Sequence, residues 1–298
     1  MDDNKELLQK IQPRFTEIVD EKTFKIECSF AVQAFNKNDY LNKATPESKL
    51  QSVLNVAQTG LTLNPVRNHA YLIPRSMNGR IECNLMPSYR GLVHLIMRTG
   101  QVMKIDSQVV REGDEFDYEL GLRPNITHKP SGSDSEITHV YAFAKLINGE
   151  VMVEVMTKEE IDRVRSNSDS YKSYVSKGFP SPWVQWESAM ARKVVIKRLA
   201  KYLPEGKEWE QVSRAIEIDN QDYQAEFWQL SKIEGLLETS SFEHEDREFI
   251  EDLLPRMSYH EANEWIQRLK KNQISKVHEG MANQAEITEH IAKISKDV

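Results

Sequence analysis

The chain has little cysteine, no charge-free stretch long enough to cross a bilayer, and none of the glycine-rich phosphate loops. Cys28 and Cys83 are the only cysteines in 298 residues. Two are too few for a zinc-ligand spacing or a disulfide framework, so both read as small core side chains. A membrane-spanning helix needs about 18 consecutive residues with few or no charges, and no such run is present. The N-terminus opens Met-Asp-Asp-Asn-Lys-Glu, without the basic start and apolar segment of a secretory signal. A cytoplasmic protein is expected.

Missing catalytic motifs narrow the function further. Neither G-x-x-x-x-G-K-[ST] nor G-x-G-x-x-G occurs, so no ATP-binding P-loop or dinucleotide fold is indicated. The histidines show no H-E-x-x-H pattern, and G-x-S-x-G is absent. A metal-dependent nuclease needs clustered carboxylates, often with a lysine. Glu47-Ser48-Lys49 and Glu205-Gly206-Lys207 have that spacing, but one opens a helix and the other follows the helix-stopping Pro204. Asp114, Glu115 and Asp117 could hold Mg2+ at a DNA contact, although a solvated acidic turn is the commoner meaning of such a run.

What is present is an uneven charge. The net value is -7, yet residues 1 to 204 hold 28 Lys and Arg against 25 Asp and Glu, whereas residues 205 to 298 hold 11 against 21. Arg67, Arg75, Arg80, Arg90, Arg98, Lys104 and Arg111 crowd one basic window. Arg192, Lys193, Lys197, Arg198 and Lys201 crowd another. Local basic surface with an acidic appendage is compatible with a polyanionic partner, although charge runs are more often plain solvated faces.

The apolar pattern gives a mixed α and β order. Thr45-Pro46 starts a helix that Gly60 ends, with Leu50, Val53, Leu54 and Ala57 on one face. Residues 5 to 19 are loosely helical and 23 to 40 look irregular. From His69 to Met156 short strands dominate. Asn78-Gly79 marks a hairpin between Tyr71–Pro74 and Ile81–Leu85, and Asn148-Gly149 marks another between the alternating run 139 to 146 and Val151–Val155. A helix over Ser88–Thr99 interrupts them. Thr157 and Glu160 form a capping box. Ser166–Pro182 reads as a long loop. Trp183–Leu203 is the clearest helix, with Lys193, Lys197, Arg198 and Lys201 opposite Val195, Ile196, Leu199 and Leu203. Helices are expected over 221–237, 244–254 and 259–271, with a polar tail from Gln284.

Several long segments resemble the RecT family of phage and prophage single-strand annealing proteins, and more distantly lambda Red beta. They are GLTLNPVRNHAYLIPR (60–75), LMPSYRGLVHLIMRTGQV (85–102), VVREGDEFDYELG (109–121), ITHVYAFAKL (137–146) and SPWVQWESAMARKVVIKRLAKYLP (181–204). The similarity runs in order over about residues 30–204. It implies an α+β fold, with a curved antiparallel sheet packed on a long helix, and an ATP-independent recombinase. Such a protein binds single-stranded DNA, pairs complementary strands into duplex, and assembles as a ring or helical filament. The organisation expected is an annealing core over 1–206, a helical connection over 207–242 and a small C-terminal helical module over 243–298.

That module would dock a phage exonuclease or the host single-strand binding protein, with Arg256, Arg268, Lys270 and Lys271 as basic receptors. No cofactor is expected, apart from Mg2+ as a modulator of DNA binding. Pairing requires bases left free, so contacts should fall on phosphates. The candidates are Lys193, Lys197, Arg198 and Lys201 on the long helix, with Arg67, Asn68, Tyr89 and Arg90 around the hairpin. Arg192 points away from the lysine arc, toward an acidic residue or a neighbouring subunit. Trp183 and Trp186 read as core or helix-entry anchors. A metal-dependent nuclease and a general nucleic-acid-binding module are the alternatives.

Overall fold

The computed structural model describes residues 3–77, 80–220, 225, 227–238, 244–254, 257 and 259–270. The chain falls into two compact units, Met1–Asp219 and Asn220–Val298.

The first unit begins with helices α1 (Asp3–Gln9), α2 (Gln12–Thr16), α3 (Glu21–Lys37), α4 (Asp39–Asn42) and α5 (Pro46–Thr59). α3 occupies most of the stretch expected to be irregular. Asp20 caps it by accepting from the Thr23 backbone N–H, and Phe24, Cys28, Ala31 and Phe35 form its buried stripe. The stripe was present in the sequence; Glu27, buried within it, broke its apolar appearance. α5 follows expectation, with Thr45 as N-cap, Pro46 in the first turn and Gly60 left-handed at the C-cap.

Strands β1 (Ala70–Met77) and β2 (Arg80–Pro87) pair antiparallel, Leu72 opposite Leu85. The Asn78-Gly79 turn itself lies outside the described residues. α6 (Tyr89–Arg98) follows, capped by Ser88. Then come β3 (Val102–Arg111), β4 (Glu115–Glu119), β5 (Asn125–Lys129), β6 (Ile137–Leu146) and β7 (Val151–Thr157). Among the described residues antiparallel pairing forms three small sheets: β1-β2, β3-β6-β7 and β4-β5. In the three-stranded one, Val140, Ala142, Ala144 and Leu146 of β6 are buried, at the period of two expected of a strand with one face in the core.

Helices complete the unit: α7 (Lys158–Asn167), α8 (Asp169–Lys177), α9 (Pro182–Gln185), α10 (Glu187–Ala200) and α11 (Trp209–Asn220). The Thr157–Glu160 capping box is formed at α7. The expected loop 166–182 is largely helical, because α8 fills it as an exposed helix with no buried residue, ended by left-handed Gly178. Its few apolar residues, Tyr171, Tyr174 and Val175, are set among Ser and Lys, so its periodicity was faint. The expected long helix is broken. Trp186 leaves helical geometry at φ -138° and ψ 45°, so α9 and α10 are separate pieces. Trp183 is an anchor, fully buried, whereas Trp186 is 67% exposed and anchors nothing in the core.

α10 packs on β3, β6 and β7 and also against α6. Buried residues Met190, Ala191, Lys193, Val194, Val195, Ile196, Leu199 and Ala200 occupy every side of it. The helix therefore lies within the unit, and it does not have the open cationic face that its sequence suggested. α11 belongs to the same core through Val212, Ala215 and Ile218. The interval 207–242 is thus divided, with α11 in the first unit and α12 (Phe227–Glu238) in the second. The second unit joins α12 to α13 (His244–Leu253) and α14 (Tyr259–Lys270) around Ile233, Leu237, Ile250, Trp265, Ile266 and Leu269. Among the described residues no helix is long and apolar enough to cross a membrane.

Candidate nucleic-acid interface

The eight expected contact residues separate into two groups with opposite fates. Lys193 is buried, and its ammonium lies 2.7 Å from Asp219 Oδ1; Lys197 lies 2.7 Å from Asp219 Oδ2. Lys193 and Asp219 are each 3% exposed. Burial pushes the Asp219 carboxyl up, but the two ammoniums outweigh it and hold the group at about 2. Arg198 reaches Glu154 and Glu160, both at 2.6 Å. Lys193 is therefore corrected from a surface cation to a core ion pair, and Lys197 and Arg198 are already engaged by carboxylates of their own chain. Lys201, at the helix C-cap, is exposed.

The second group is assembled at a surface edge. Asn64 starts a tight turn: its side chain accepts from Val66 N–H at 2.9 Å, and its carbonyl accepts from Arg67 N–H at 3.1 Å and Asn68 N–H at 3.2 Å. The turn brings Asn68 to φ 54°, a left-handed conformation that asparagine tolerates better than most residues. Tyr71 donates its hydroxyl to Asn68 Oδ1 at 3.0 Å. This loop is tied to the start of α6. Ser88 N–H donates to the His69 carbonyl at 2.9 Å, and Ser88 Oγ donates to the Asn68 carbonyl at 2.5 Å while accepting from Gly91 N–H at 3.1 Å. A Cβ at Gly91 would run into the His69 carbonyl, so only glycine permits the approach.

Arg67 and Arg90 are exposed on this edge, and Asn68 and Tyr89 are half-buried. Tyr89 is held by Arg192, whose guanidinium lies 4.1 Å over its ring and donates to its hydroxyl at 3.1 Å. Arg90 Nε also donates to that hydroxyl, at 3.3 Å. Arg192 in turn meets Asp106 at 3.2 Å and Ser107 at 3.1 Å, so the acidic partner expected for it is on β3. This Asp106–Arg192–Tyr89 brace joins residues far apart along the chain and left no local sequence signal.

The acidic run is not assembled as a cation site. Asp114 accepts from Arg111 N–H, Ser131 N–H, Ser131 Oγ and His128 Nε2. Those donors, led by Ser131 N–H, hold its carboxyl well below the usual range. Glu115 pairs with Lys129 at 2.9 Å. Among the described residues no group of three candidate ligands could hold a metal ion. The Glu47-Ser48-Lys49 spacing also dissolves, because Lys49 is buried and donates to Asn4 Oδ1 at 3.0 Å and to the Asn42 carbonyl at 2.6 Å. Cys28 and Cys83 are free and buried, and burial pushes both thiols up to about 12. In the second unit Arg268 lies 5.5 Å over the Trp265 ring and Lys270 is exposed; Arg256 and Lys271 lie outside the described residues.

Two exposed guanidiniums beside a helix N-terminus form an edge suited to an anionic backbone. Comparison with known proteins agrees with a nucleic-acid role. The RecT family model matches residues 28–227, more than half of the chain, and the protein belongs to that family. It is similar to Protein RecT of Escherichia coli (strain K12), 36% identical over 197 residues that cover 64% of this chain and 70% of that protein. It is also similar to the uncharacterized protein YqaK of Bacillus subtilis (strain 168), 26% identical over 188 residues, 62% of this chain and 60% of that protein. Family membership carries a general role in DNA recombination and strand annealing. The family match includes the 64–69 loop, α6 and α10 and stops short of α13 and α14.

Proposed function

We propose that the protein binds single-stranded DNA and pairs complementary strands without ATP and without breaking covalent bonds, working as a homo-oligomeric ring or filament. The observation that carries the reading is the edge made by Arg67, Asn68, Tyr89 and Arg90, in a chain of the RecT family. Arg67 and Arg90 contact phosphates, Asn68 shapes the loop, and Tyr89 positions Arg90. Lys201 is a further phosphate contact on the same unit. Lys193, Lys197 and Arg198 have no part in this reading, since engaging DNA would require them to leave their carboxylates. Contacts confined to phosphates leave base edges free, so pairing is driven by the bases once strand repulsion is reduced.

The second unit is the docking region for an exonuclease or a host single-strand binding protein, and Mg2+ modulates DNA binding without a dedicated site. The test is the pairing rate of two complementary dye-labelled oligonucleotides with no nucleotide present. The protein is expected to accelerate pairing, and Arg67→Ala with Arg90→Ala to abolish the acceleration. Salt-sensitive binding with no acceleration would favour a general binding module. Mg2+-dependent loss of labelled DNA would favour a nuclease.

A further inference from the structure

A pair of histidines joins the two halves of the Arg67–Arg90 edge. His69 ends the loop, is 9% exposed, and has an Nδ1 with no hydrogen-bond partner among the described residues. The His94 ring of α6 lies against it, centroids 4.3 Å apart and planes at 31°. Arg90, His94 and Arg98 are spaced by four along α6 and therefore share one side of that helix. Arg67 stands two residues before His69. The pair thus lies among cations contributed by both halves of the edge.

The charged groups on the surrounding elements already have partners of their own. Arg98 is met by Glu208 at 2.8 Å. Glu27 of α3, which feels the Arg67 charge, is occupied by Thr62 Oγ1 at 2.5 Å and Leu63 N–H at 2.8 Å. From α10, Arg192 is engaged by Asp106 of β3. Burial, then His94 and Arg67, push His69 down to about 4; burial, then Arg98 and Arg67, push His94 below the ordinary imidazole value. Both rings lean to the neutral form because they are partly desolvated and the nearby field is positive. A phosphodiester held by Arg67 and Arg90 reverses that field. The same burial that disfavours an isolated imidazolium strengthens its attraction to a phosphate.

We propose that the His69–His94 pair makes single-strand binding proton-linked: a DNA phosphate held by Arg67 and Arg90 draws a proton from solvent onto His94, which becomes a third cation of the site. The inference rests on the reading that this edge binds DNA. Whatever takes up a proton on binding binds more tightly as pH falls, by up to about tenfold per pH unit for one proton.

The experiment measures affinity for an oligothymidylate carrying a pH-insensitive cyanine dye at constant ionic strength, from about pH 8 to about pH 5.5, a window that brackets imidazole titration. The intact protein and His94→Gln are compared. The intact protein is expected to tighten by roughly five- to tenfold across the window. His94→Gln should match it at the alkaline end and lose most of the gain. Calorimetry in two buffers of different ionisation heat provides a readout that needs no variant: binding near pH 6 should take up a sizeable fraction of one proton. Equal pH dependence in the two proteins, or binding without proton uptake, overturns the proposal and leaves DNA binding at the edge standing. Absence of binding at every pH overturns both.

Discussion

α10 and the edge where the 64–69 loop meets the first turn of α6 both carry positive charge, and the fold treats them in opposite ways. Along α10, Lys193, Lys197 and Arg198 meet Asp219, Glu154 and Glu160. At the loop and the first turn of α6, Arg67 and Arg90 point outward, and the neighbouring Arg192 takes the carboxylate of Asp106. Cation density along a helix is therefore a poor guide to surface potential. What matters is whether carboxylates from other elements reach the same place.

The comparison breaks most visibly at Asp219. Asp219→Ala leaves two ammoniums crowded together, one of them fully buried, and should lower unfolding free energy by about 3–5 kcal/mol, measured by urea denaturation. Lys193→Met, which removes a charge but keeps a long side chain, should leave single-strand affinity per folded molecule unchanged. A large loss of affinity there would mean that α10 does open to DNA.

A smaller effect is expected at the junction of loop and helix. Gly91→Ala forces the first turn of α6 away from the His69 carbonyl and should cost about 1–3 kcal/mol. It should also weaken DNA binding, because Arg67 and Arg90 separate. Arg67→Ala with Arg90→Ala should leave the melting temperature unchanged while weakening binding roughly tenfold. The slope of log affinity against log salt should become shallower by about 1.4, at about 0.7 per phosphate contact. An unchanged slope would place the phosphates elsewhere.

Thr157→Ala removes the capping box and should cost about 1 kcal/mol. The loss comes with a looser Glu160, and hence a freer Arg198. Acid should act on the two regions in separate windows. Asp219 has a lowered folded value of about 2, so its contribution is complete above its ordinary 3.8 and is lost as pH falls through 2. His69 is also lowered, to about 4, but as a base. The unfolded chain binds its proton first, so DNA-free stability declines as pH drops below about 6.5 toward 4. Thermal melting across pH should show the histidine phase first and the aspartate phase later.

Much of the local architecture was legible in the sequence. The cap at Thr45, the stop at Gly60, the capping box at Thr157 and the alternation over 139–146 each declared an element through one short-range rule. α3 and α8 escaped, one because Glu27 interrupts its stripe and the other because Tyr171, Tyr174 and Val175 are too short a stripe among Ser and Lys. The break at Trp186 carries no proline or glycine and was equally silent. Of the candidate contacts, Arg67, Asn68, Tyr89 and Arg90 do come together, while Lys193 goes to the core.

The sequence by itself determined the family and the elements that carry a cap, a turn signal or a clear apolar period, because those signals act over a few residues and the matching segments are long. Only the tertiary structure decided which charges face water. The carboxylate that accompanies Lys193 into the core, Asp219, lies 26 residues beyond it, a separation that only the approach of α11 to α10 closes.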